Sequence, residues 1–164
     1  MFYGSKEDQS REIQRRVTDC REMAALFPII RTVAEEFDGK VFNCRFEKAL
    51  QEKRPRIYVG KRFQYLEITA YPESHSGNSF TLAQIKLSDM PDGKRIPAKL
   101  IIEAAKNKRE SLLQQAYRIE RDAAEAEEKR RQLDYFKDQI DKIRDSICYE
   151  VQNVYNLGYR VHKS

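Results

Sequence analysis

A chain of 164 residues with 31 Lys and Arg against 26 Asp and Glu, a formal net charge of +5, is long enough for one domain with a helical appendage, and it buries about 70% of its unfolded surface. Charged residues make up 35% and hydrophobic ones 40%, against roughly 25% charged in an average soluble domain, so the excess charge belongs on long solvated surfaces. Collagen, mucin, membrane-span and disulfide-scaffold classes are excluded, and the basic balance is compatible with nucleic acid without demonstrating it.

Residues 5–38 carry a helical pattern, with Ile13, Val17, Cys20, Ala24 and Phe27 recurring at spacings of three and four, and Ser5 followed by Asp8 resembles a capping box. Pro28 lacks an N–H and clashes with the preceding turn, so it predicts either a kink or two helices, the second carrying Ile29, Ile30, Val33 and Phe37. Asp38-Gly39 stops the helix. From Lys40 the period changes to two, with Phe42, Cys44 and Phe46 on one face, which predicts a half-buried strand over residues 40–46. Residues 47–53 read as a short helical turn or a loop.

Three further β-rich runs, at residues 56–59, 63–71 and 79–87, are separated by Gly60-Lys61-Arg62 and by a polar stretch from Pro72 to Asn78. The expected sheet is therefore a small antiparallel meander of about four strands. Pro91-Asp92-Gly93 fits a turn, and Pro97 suits the first turn of a following helix. Between Ala98 and Leu157 there is no glycine or proline, and strong helix formers dominate. One stripe runs through Ile101, Ala105, Leu112, Ala116, Ile119, Ala123 and Ala126. A second, richer one runs through Leu133, Phe136, Ile140, Ile143, Ile147, Val151 and Val154 at near-heptad spacing.

Either a continuous helix, about 90 Å long at 1.5 Å per residue, or a hairpin reversing near residues 125–131 accounts for this stretch. No turn residue marks a reversal, whereas compactness favours one. Gly158 suggests a left-handed cap and Tyr159-Arg160-Val161 a short final strand. The fold class is thus α+β, with residues 1–97 forming helix and sheet. Residues 98–164 form a helical arm of coiled-coil character that packs on the sheet or self-associates.

Charge is unevenly distributed. Residues 1–40 hold 7 basic and 8 acidic groups, 41–72 hold 7 and 3, 73–100 hold 4 and 3, and 101–164 hold 13 and 12. Most of the excess lies where Lys48, Lys53, Arg54, Arg56, Lys61 and Arg62 are interleaved with Tyr58, Phe63 and Tyr65. Cations beside aromatics on a sheet neutralise phosphates and stack bases, which makes Lys48, Lys53, Arg54, Arg56, Tyr58, Lys61, Arg62 and Tyr65 the candidate nucleic-acid contacts. The competing explanation is a solvated edge protected from aggregation, with tyrosines covering a core. The Leu133 to Val154 stripe is broad enough to need cover from the first helix, the sheet or another chain, a homodimer through the arm included.

Chemistry is sparsely represented. The chain lacks GxGxxG, a Walker loop, GxSxG, HExxH and an EF-hand loop. His75 sits in a polar loop of ordinary composition, Cys20 and Cys44 fall on apolar faces, Cys148 adjoins Ile147, and none forms a zinc pattern. Asp134/Asp138 and Asp141/Asp145 alternate with Lys137, Lys142 and Arg144, which explains them as solvated ion pairs. No cofactor, metal or catalytic group is expected. Three scattered cysteines read as reduced thiols, Met1-Phe2-Tyr3-Gly4 runs straight into Lys6, Glu7 and Asp8, and the longest apolar run is Ala24 to Ile30. These features lead to the expectation of a cytoplasmic protein with no membrane partner. The expected function is a non-enzymatic module contacting nucleic acid or a nucleoprotein complex through the basic hairpin; the alternative is an inhibitor, adaptor or scaffold acting on a protein through the arm.

Overall fold

The computed structural model describes residues 5–41, 48–49, 56–73, 79–90 and 95–161, and the side chains within 5–41, 57–73, 79–90 and 95–158. The protein is α+β. Helix α1 (Lys6–Ala25) begins with the capping box its sequence announces: Ser5 Oγ accepts from the Asp8 N–H at 3.2 Å, and Asp8 Oδ2 accepts from the Ser5 N–H at 3.0 Å. The chain bends at Leu26, whose N–H turns to the Met23 carbonyl, and α2 (Phe27–Phe37) follows with Pro28 in its first turn. That is where a residue without an N–H does least harm. The bend therefore lies two residues before the proline.

At the end of α2, Gly39 takes φ +69°, a left-handed conformation natural to glycine, and its N–H donates to the Ile96 carbonyl at 2.9 Å. Asp38 Oδ1 accepts from the Ala98 N–H at 3.0 Å. The residue closing one helix thus caps the opening of the next, α3 (Ala98–Val161). Pro97 lies immediately before α3 and gives its carbonyl to the Ile101 N–H at 3.1 Å.

The sheet is antiparallel in the order β1-β2-β3-β4, with β2 (Arg56–Arg62), β3 (Tyr65–Tyr71) and β4 (Phe80–Lys86) each seven residues long. β1 (Lys48–Ala49) is a two-residue ladder along β2. The sheet proper thus has three strands where about four were expected. Of the strand expected at 40–46, Val41 makes only an isolated bridge to Arg95, and residues 42–47 lie outside those described. The turn expected at Gly60-Lys61-Arg62 is also corrected. Those residues extend β2, with Gly60 opposite Glu67 and Arg62 opposite Tyr65, and the reversal falls on Phe63-Gln64. Phe63 takes φ 54°, unusual for a bulky residue. The β3–β4 register shifts after Ile68, leaving Leu82 as the extra residue of a bulge.

Helix α3 runs unbroken for 64 residues, so the helix is continuous and the hairpin is excluded. The final strand expected at residues 159–161 is instead the last turn of this helix. The chain divides into two compact units, Met1–Glu120 and Arg121–Ser164. In the first, α1, α2, the sheet and the beginning of α3 share one core that includes Met23, Ile30, Ile57, Ile68, Leu82 and Leu112. The first stripe on α3 is buried in it through Ile101, Ala105, Leu112 and Ala116. Arg21 and Glu120 add an exposed ion pair at 2.8 Å between α1 and α3. The second unit is the remainder of α3. No helix among the described residues is long and apolar enough to cross a membrane.

Candidate interaction surfaces

Strand alternation sorts the residues expected to meet nucleic acid. Ile57 and Val59 on β2, and Leu66, Ile68 and Ala70 on β3, are buried on one face. The intervening positions place Tyr58, Arg62 and Tyr65 together on the other face, with Tyr71 and with Lys86 registered opposite Tyr65. Tyr58 and Tyr71 pack edge to face, 5.7 Å between ring centroids. Lys61 falls on the opposite row, paired with Leu66. Lys48 is registered opposite Val59 and Arg56 opposite Tyr71; Lys53 and Arg54 lie outside the described residues. Among the candidates whose side chains are described, Tyr58, Arg62 and Tyr65 therefore share one face and Lys61 falls on the other.

Two features of this hairpin are not apparent from composition. Phe63, at its tip between Arg62 and Gln64, is 81% exposed. Glu67 sits in the middle of the tyrosine-bearing face between Gly60 and Gln84 and is only 7% exposed. Its Oε1 accepts from Gln84 Nε2 at 3.0 Å, and its Oε2 is buried without a partner. A carboxylate at the centre of the face opposes phosphate binding there.

The second stripe of α3 has a different environment. Leu133, Phe136, Ile140, Ile143, Ile147, Val151 and Val154 are 57–67% exposed. Core cover on α3 ends with the first unit, where Ala116 is 1% exposed and Ile119 is partly buried. Counting in sevens from Leu133 gives a positions Leu133, Ile140, Ile147 and Val154, and d positions Phe136, Ile143, Glu150 and Leu157. Leu157, 61% exposed, extends the stripe by one turn, and the heptad count in the sequence already contains it. Charged groups flank the seam in ion pairs along the helix. Arg130 meets Glu127 at 2.6 Å and Arg144 meets Asp141 at 3.1 Å.

Two further titratable groups are shifted by their surroundings. Cys20 is 2% exposed in the core; burial pushes its thiol up, with the Asp19 charge acting the same way and Arg16 and Lys108 opposing. A thiol held protonated is a poor nucleophile. Burial also pushes the Glu22 carboxyl above its ordinary range; the Glu73 N–H, donating to it at 3.0 Å, opposes this, while the Glu73 and Asp19 charges reinforce it. An open groove of about 330 Å³ runs between β4 and α3, lined by Thr81, Gln84, Asn107, Lys108 and Ser111 among others. Among the described residues no group of His, Cys, Asp and Glu is arranged to hold a metal ion. Compared with models of protein families, with curated proteins and with solved structures, the chain matches none.

Proposed function

We propose that this protein is a non-enzymatic interaction module whose working surface is the apolar seam of the arm, residues 133–157, which pairs with a helix of a protein partner. The observation that carries this reading is the exposure of all seven stripe residues, 57% or more each, on one side of an uninterrupted helix. A contiguous apolar face of this size on a folded chain marks a binding surface, and an amphipathic helix recognises its partner through such i, i+3, i+4 and i+7 anchors. Covering the seven side chains is worth on the order of 10 kcal/mol from this chain alone, enough to meet an association cost of about 4–15 kcal/mol once the partner contributes its own apolar face. Affinity capture with the full chain tests this reading. The double substitution Ile140→Glu/Ile143→Glu is expected to strip the captured proteins, and an unchanged set would overturn it.

A second reading, contact with nucleic acid through the hairpin, is favoured by the shared face of Tyr58, Arg62 and Tyr65 with Lys86 at its edge. It predicts oligonucleotide binding that falls steeply as salt rises and is reduced at least tenfold by Arg62→Glu with Lys86→Glu. Binding insensitive to both changes would count against it, as would none at low salt.

A further inference from the structure

We infer that the partner on the arm is a second copy of this chain, its helix parallel and in register, so that the seam of residues 133–157 closes on itself. This rests on the interaction reading above and names the partner that reading leaves open. The seam spans about three and a half heptads, a length at which a repeat of this kind specifies pairing. Three of its four a positions, Ile140, Ile147 and Val154, are β-branched and the last d position is Leu157, the combination that favours two parallel strands, whereas Ile143 at d pulls towards a larger bundle.

Charge supports the same partner. The unit Arg121–Ser164 holds 9 basic and 9 acidic groups, so two copies meet without net repulsion, and no oppositely charged partner is called for. The g positions along the seam, Gln132, Gln139, Ser146 and Asn153, are all uncharged, whereas the e positions Arg130, Lys137 and Arg144 are cationic. In a parallel pair each g residue meets the e residue five positions further along the other helix. Gln132 then meets Lys137, Gln139 meets Arg144 and Ser146 meets Val151, so no like charges are opposed along these flanks, and the one like-charge contact of the seam is Glu150 with its own copy at a d position. Antiparallel pairing sets the e edge against itself, with Arg144 against Arg144 when the whole seam overlaps. Arg130 and Arg144 are already matched within their own helix by Glu127 and Asp141, so they require no acidic partner across the seam.

The mass of the full chain in solution, measured by light scattering from low to high micromolar concentration, tests the inference. The expected value is about twice 19.4 kDa, returning to the single-chain mass in the Ile140→Glu/Ile143→Glu chain while the unfolding transition of the α+β core is retained. Orientation is read from Phe136→Cys in a chain whose Cys20, Cys44 and Cys148 are replaced by serine. With oxidised glutathione as the oxidant, a parallel pair joins the two introduced thiols across one d layer. Failure of this cross-link in a twofold-mass chain, or a threefold mass, overturns the parallel pair. A single-chain mass throughout overturns the second copy as partner. If such a monomer still captures proteins in a seam-dependent way, the interaction reading survives; if capture ignores the seam, both fail.

Discussion

Leu112→Ala is expected to destabilise the α+β unit by about 3 kcal/mol, within the range measured for buried leucines, and to lower its melting midpoint by roughly 10 °C. Leu112 is 2% exposed. With Met23, Phe27, Ile30, Leu82 and Ala105 among others it lines a crevice with no room for a water molecule. Removing its isobutyl end leaves a dry void between two helices, a strand bulge and α3, and no single neighbour can move to fill it without disturbing the others. Leu133→Ala supplies the comparison, being the same substitution on the same helix at a residue 60% exposed. Urea unfolding of the core should register it within about 0.5 kcal/mol of the parent. Equal losses at the two positions would mean that the core does not end where burial on α3 ends.

That comparison also marks how far the sequence could be read. The cap at Ser5 and the bend near Pro28 follow from local chemistry, a side-chain acceptor and a missing N–H, each decided within a few residues of itself and each found in the structure. After Ala98 the absence of turn residues and the demand for compactness point opposite ways, and the structure keeps the helix unbroken. Both apolar stripes on α3 were equally visible, but periodicity reports that a helix has an apolar side and is silent on what covers it. Thus the stripe through Leu112 is core, while the richer one through Ile140 is exposed.

The hairpin shows the opposite failure. Gly60 advertises a turn, yet it pairs with Glu67 inside β2, and the reversal falls on Phe63, whose φ of 54° nothing in its chemistry favours. Cross-strand register decided the matter, since closing the turn at Phe63-Gln64 sets Ile57, Val59, Leu66 and Ile68 on one buried face. The same register separates Lys61 from Arg62 and brings Glu67 among the tyrosines. A cluster of charge that is dense in sequence is therefore divided between two sides of a sheet.

Glu150→Leu is expected to tighten self-association by about a hundredfold, equivalent to ~2.8 kcal/mol. Glu150 occupies a d position, between the a residues Ile147 and Val154, and is exposed in the single chain. In a parallel pair it meets its own copy, so two carboxylates are brought together and partly dried in the middle of an otherwise apolar seam, which is unfavourable on both counts. Leucine removes that cost and adds two apolar side chains to the layer, and its helix propensity is close to that of glutamate, so α3 itself is unaffected. Glu150→Gln removes the charge while keeping the shape, and should recover about a tenfold gain. Sedimentation equilibrium on the three full-length chains measures the series. A rising order from Glu through Gln to Leu is the signature of a carboxylate facing a carboxylate. Equal association in all three would show that residue 150 does not lie across from itself.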